Sequence, residues 1–137
     1  MGLRLLKFLD AGIFVAFAVF LFAHWNWMAH YIIGMAMGVT GFVLWMVARE
    51  QLGASFSVAA RAHKLVTRGL YSKFRHPIYY FAGVAYMGLF IALGNIYALV
   101  FFLCGYSVQL FRAIKEEKVL EQAFGEEYRR YKAATWI

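Results

Sequence analysis

Two long stretches of this chain, residues 11–48 and 76–111, contain no Asp, Glu, Lys or Arg. A soluble domain of 137 residues needs a polar coat, and stretches of this kind cannot supply one. Composition agrees: 64% of residues are hydrophobic and 15% charged, against about a quarter charged in an ordinary soluble domain. The expectation is one all-α, polytopic membrane domain over residues 1–137.

Four apolar segments stand out, about Leu9 to Ala23, Tyr31 to Ala48, Ile78 to Leu93 and Ile96 to Phe111. Each is near the lower end of what crosses a hydrocarbon core of roughly 30 Å. They pair as two hairpins. The first turns at His24 to His30, where Trp25 and Trp27 suit an interfacial belt, and the second at Gly94-Asn95. All fourteen Lys and Arg residues fall outside these turns, on one side of the bundle. The positive-inside rule makes that side the cytoplasm, with both termini there and the cell (inner) membrane as the setting. The chain then divides into a first hairpin (1–48), a cytoplasmic loop (49–76), a second hairpin (77–111) and a cytoplasmic helix (112–137). Arg4 and Lys7 ahead of an apolar run imitate a secretory signal, but no small-residue cleavage pattern follows, so a retained first span is expected.

The net charge of +7 does not point to nucleic acid, because the aromatic residues lie within apolar runs and not in a basic groove. Cys104 is the single cysteine, so neither a disulfide framework nor a cysteine-based metal site is expected. There is no His-Glu-x-x-His, no nucleophile elbow and no phosphate-binding glycine loop.

Gly34, Gly38 and Gly41 form a small-residue stripe that lets another helix approach closely, within the chain or in a homodimer through the Gly34/Gly38 face. Pro77 suits the start of the third span. Between the second and third spans, Gln51 to Ala62 reads as an interfacial amphipathic stretch.

Two clusters can carry chemistry. One is Gly69-Leu70-Tyr71-Ser72-Lys73-Phe74-Arg75-His76-Pro77-Ile78-Tyr79, leading into the third span; its bland reading is snorkelling cations and interfacial tyrosines. The other follows the fourth span, where a helix-forming sequence carries the apolar stripe Leu120, Phe124, Tyr128, Tyr131. One step back, that stripe reaches Glu117, a carboxylate on the packed face that needs a partner, for which a basic residue of the middle loop suffices. Glu126 and Arg130 are spaced for a surface pair, and Gly125 can break the helix.

Taken in order, Gly-x-Tyr-x-x-x-Arg-His-Pro-x-Tyr, a tight apolar hairpin, then Glu-Glu-x-x-Leu-x-x-x-Phe-Gly-x-Glu-Tyr-x-x-Tyr resembles the isoprenylcysteine carboxyl methyltransferase and phospholipid methyltransferase family. The likeness runs from about Leu52 to Lys132. It implies an S-adenosylmethionine-dependent integral membrane methyltransferase, with the cofactor at the cytoplasmic end of the bundle. The implied cofactor residues are Arg75, His76, Tyr79, Glu116 and Glu117, with Gly69 and Tyr71 shaping the loop; Glu126 and Tyr128 fall near the acceptor. Arg75 and His76 suit the cofactor's carboxylate, the glutamates its hydroxyls or amino group, and tyrosine faces its sulfonium. No metal is implied.

The implied acceptor is amphiphilic, a prenylcysteine carboxylate, a phospholipid amine or a thiol, reached from the lipid bilayer. The chain departs from the family at Ala134, where an Arg facing an acceptor carboxylate is expected; Lys132 is the nearby cation. The alternative from another class is a non-catalytic four-helix scaffold or assembly subunit.

Overall fold

The structure, a computed structural model, describes residues 2–25, 27–53 and 66–136, with side chains from Leu9 onward. The apolar segments become helices α1 (Gly2–Ala23), α2 (Ala29–Leu52), α3 (Pro77–Leu93) and α4 (Ile96–Phe124). A short α5 (Glu126–Ala134) follows, and a 3-10 turn at Gly69–Ser72 precedes α3. Two helices, α2 and α4, are long and apolar enough to cross a membrane; Leu9–Ala23 and Pro77–Leu93 are shorter apolar helices. Of the expected amphipathic stretch, Gln51 and Leu52 close α2 and Gly53 caps it; the rest, from Ala54, lies outside the described residues.

The sequence signals for the helix ends act locally. Pro77 occupies the first turn of α3, where its missing N–H leaves no bond unmade. Gly94 ends α3 with φ +68°, a left-handed conformation that costs glycine nothing. Asn95 then caps α4, its side-chain oxygen accepting from the N–H groups of Tyr97 and Ala98.

The core lies between α2 and α3, whose helices touch through glycine. A Cβ on Gly41 would stand 2.6 Å from the backbone nitrogen of Ala85, and one on Gly88 would meet the backbone of Gly38. Gly34 lies in the same way against Gly88 and Ala92. The stripe therefore serves packing inside the chain, as small-residue helix contacts do. The homodimer expected through Gly34/Gly38 is corrected by this contact, because α3 already fills that face. Around the seam Phe14 of α1 stacks on Phe42 at 4.5 Å and meets Trp45 edge-on at 6.4 Å, so α1 is joined to the core by aromatic side chains.

α4 runs unbroken from the apolar hairpin into the charged sequence that carries both glutamates. Gly125 ends it with φ +51°, and α5 sets off in a new direction from that glycine.

Candidate functional site

The chain between the 3-10 turn and α3 is held from both sides. From α2, the Gln51 side chain accepts from the N–H of Leu70 at 2.7 Å and packs so tightly on Gly69 that a Cβ there would collide with it. Gly69 also has φ +63°, so both its conformation and its neighbour require the missing side chain. From α5, the Tyr131 hydroxyl donates to the carbonyl of Tyr71 at 2.7 Å and the N–H of Trp136 to that of Lys73 at 2.8 Å. Arg75 donates to the carbonyl of Trp136 at 3.3 Å. The C-terminal helix is thus a clasp over the loop.

This clasp brings the two sequence clusters together at Glu117. His76 precedes α3, makes no capping bond with its side chain, and instead places Nε2 3.1 Å from Glu117 Oε1. That contact requires the proton on Nε2, since a carboxylate only accepts. Arg75 lies 3.6 Å from the same oxygen, and Lys132 of α5 donates to Oε2 at 2.7 Å. Burial pushes the Glu117 carboxyl up, but hydrogen bonds from Lys132 and His76 and the charges of Arg75 and Lys132 outweigh it, holding the group below the ordinary carboxylate range.

The neighbouring carboxylate faces elsewhere. Glu116 lies against the Tyr79 hydroxyl and close to Tyr71. Tyr71 is buried, and Tyr79 sits beside the His76 ring at 6.0 Å. Tyr128 is fully enclosed; burial first, then the Glu117 charge, push its hydroxyl up to about 12 against the opposing pull of Arg75. It therefore stays a neutral donor at physiological pH.

Of the residues singled out in the sequence, Arg75, His76 and Glu117 meet directly, while Tyr79, Glu116, Tyr71 and Tyr128 surround them. Gly69 shapes the loop. Glu126 is not brought in: it is exposed and pairs with Arg129 at 2.8 Å, one residue before the expected Arg130. The middle-loop partner expected for Glu117 is present as Arg75. Sequence reasoning gave Lys132 no contact with Glu117, because the break at Gly125 hides their approach from helical periodicity.

Two buried polar atoms of the cluster, the Tyr128 hydroxyl and Arg75 Nε, have no hydrogen-bond partner among the described residues. Unmet buried donors are costly, and a ligand with acceptor oxygens or nitrogens relieves them. Beside two carboxylates and tyrosine faces, this donor set fits S-adenosylmethionine, which presents a carboxylate, an amino group, ribose hydroxyls and a sulfonium.

Two helices long and apolar enough to cross a membrane, with an ionic cluster where α4 leaves its apolar run, are the features of a helical membrane protein. The chain belongs to the phospholipid methyltransferase family, whose model matches residues 29–127 and so takes in the glycine seam and, of the glutamate cluster, Arg75, His76 and Glu117. The family is one of membrane methyltransferases. No curated protein matches the chain.

Proposed function

We propose that this protein transfers a methyl group from S-adenosylmethionine to an amphiphilic acceptor at the cytoplasmic face of the membrane. The observation that carries the reading is the meeting of His76 and Arg75 with Glu117, residues about forty positions apart that the fold brings into one cluster. In this reading all four apolar helices span the bilayer as two hairpins, both termini are cytoplasmic, and α5 covers the cofactor. The membrane is the cell's inner membrane.

S-adenosylmethionine supplies an activated methyl on a sulfonium; the protein supplies alignment and the exclusion of water. Arg75, through its Nε, and His76 hold the cofactor's carboxylate. Glu116 and Glu117 accept from its amino group or ribose hydroxyls, and Tyr79 and Tyr71 line its sulfonium side. Tyr128 donates its hydroxyl next to Glu117. Glu126, on the exposed side of α5, serves the acceptor only through α5 as a whole.

Glu117 also has a reading without any ligand, since Arg75, His76 and Lys132 satisfy it as a structural polar cluster; that favours the scaffold alternative. Calorimetric binding of S-adenosylmethionine to the purified protein in detergent decides. Binding lost in Glu117→Ala, with the melting curve still cooperative, supports the enzyme. No binding by the parent protein rejects it.

A further inference from the structure

Helix α4 carries Glu116 and Glu117, while His76 and Tyr79 lie at the start of α3. Their meeting depends on how α4 is set against α3. The glycine seam does not fix this, because it joins α3 to α2. α4 is also far less enclosed than α3: Ala113 is its one buried residue, against seven in α3. Any displacement of α4 would therefore fall directly on the site.

Two kinds of contact join these helices. Rings are the first: Phe102 stacks on Phe90 at 4.9 Å, lies 6.5 Å from Tyr86, and stacks on Tyr106 at 5.6 Å. Offset stacking is satisfied over a range of displacements, so rings alone leave the two helices free to slide. The second contact has a direction. The Tyr106 hydroxyl donates to the carbonyl of Tyr79 at 2.7 Å. It passes over Gly83, where a Cβ would collide with the hydroxyl and its ring carbon. Hydrogen bonds weaken steeply with misalignment, so this one selects a single setting of α4 on α3.

Tyr79 is thereby held by α4 at both ends. Its carbonyl accepts from Tyr106, and its hydroxyl lies against Glu116, further along the same helix. Within α3 the Tyr79 carbonyl already accepts from the N–H of Gly83, and it has a second lone pair for Tyr106. Losing the Tyr106 hydroxyl leaves no acceptor unmet. What the bond adds is the position of Tyr79.

Resting on the methyltransferase reading, we propose that Tyr106 is a positioning residue of the cofactor site, fixing Tyr79 so that its ring meets the sulfonium of S-adenosylmethionine. Tyr106 acts through Tyr79 and takes no direct part in binding. A tyrosine face attracts a cation only within about 6 Å of the ring centroid, so a shift of the first turn of α3 weakens that contact first. S-adenosylhomocysteine has the same adenosine, amino and carboxylate groups but a neutral sulfur. It senses the rest of the site without this attraction.

The test is calorimetric binding of both compounds to the purified protein in detergent. Tyr106→Phe keeps the ring stack and removes the bond. We expect a melting curve close to the parent's and a roughly fivefold loss of S-adenosylmethionine affinity, the scale of one hydrogen bond, with S-adenosylhomocysteine affinity changed less than about twofold. Gly83→Ala, which displaces the Tyr106 hydroxyl while favouring the helix, should lower the same affinity ratio. An equal loss for both compounds in Tyr106→Phe makes Tyr106 an ordinary packing residue and overturns the proposal. So does an unchanged ratio, or a Tyr106→Phe protein that no longer melts cooperatively. In each of these outcomes binding by the parent leaves the methyl-transfer reading standing; a parent that binds neither compound sinks both.

Discussion

Helix α2 meets α3 where side chains are missing, whereas α5 meets the loop ahead of α3 through polar side chains and backbone groups. In the first seam Gly34, Gly38 and Gly41 lie against Ala85, Gly88 and Ala92 with backbone close to backbone. In the second, Tyr131, Lys132 and Trp136 reach Tyr71, Glu117 and Lys73 through single hydrogen bonds or ion pairs. The glycine seam holds no titratable group and has no slack. The polar clasp can give up one contact and keep the others, which is what a site needs if a ligand is to replace internal partners.

The largest effect is expected in the seam. Gly88→Leu drives a side chain into the backbone of Gly38, and the cost should be about 3 kcal/mol or more, read as loss of the monodisperse, cooperatively melting protein in detergent. A variant that melts like the parent would remove the contrast between the two regions. Next comes Glu117→Ala, for which a roughly 10- to 100-fold loss of S-adenosylmethionine affinity is expected, with a smaller effect on melting than Gly88→Leu. A comparable collapse of the fold would make Glu117 a structural keystone and the clasp no softer than the seam. Tyr131→Phe removes the bonds to the carbonyls of Tyr71 and Phe74 and should cost about 1 kcal/mol, visible as faster hydrogen exchange in the loop with the α2–α3 amides unaffected.

A pH titration sharpens the same comparison. Glu117 in the folded protein lies below its ordinary range, so its stabilisation is complete above the unfolded value of about 4.3 and is lost as pH falls through the lower, folded one. Lys132→Met removes the closest cation, raising the folded value toward the unfolded one. The acid limb of melting temperature against pH should then keep its onset near the unfolded value but become shallower and end at higher pH. A limb as deep as the parent's would mean that Arg75 and His76 alone hold the carboxylate.

The sequence made the seam half visible and the clasp less so. The helices followed from uncharged runs, and the Gly34 stripe announced a close neighbour; the matching small residues at Ala85 and Gly88 were equally open to reading but fall in a run without polar punctuation. The meeting of His76 with Glu117 became visible only through the family pattern, because helical periodicity says nothing about residues on separate helices. Asp10 and Arg49 lie at opposite ends of an uncharged stretch of 38 residues, 11–48. Their pairing across a whole hairpin depends on how α1 leans on Phe42 and Trp45, which is tertiary packing and leaves no local trace.

The smallest effect uses one substitution in two settings. Gly88→Ala and Gly105→Ala both place a methyl group on a helical glycine, and helix propensity favours both by about 0.5–1 kcal/mol. At Gly105 a Cβ meets nothing within 4 Å, so the propensity gain should appear as a small rise in melting temperature. At Gly88 the same methyl group meets backbone atoms of α2 that belong to a helix and cannot rotate away, so the sign should reverse. If both variants gain stability, α2 and α3 are free to move apart, and the glycine seam is as yielding as the clasp.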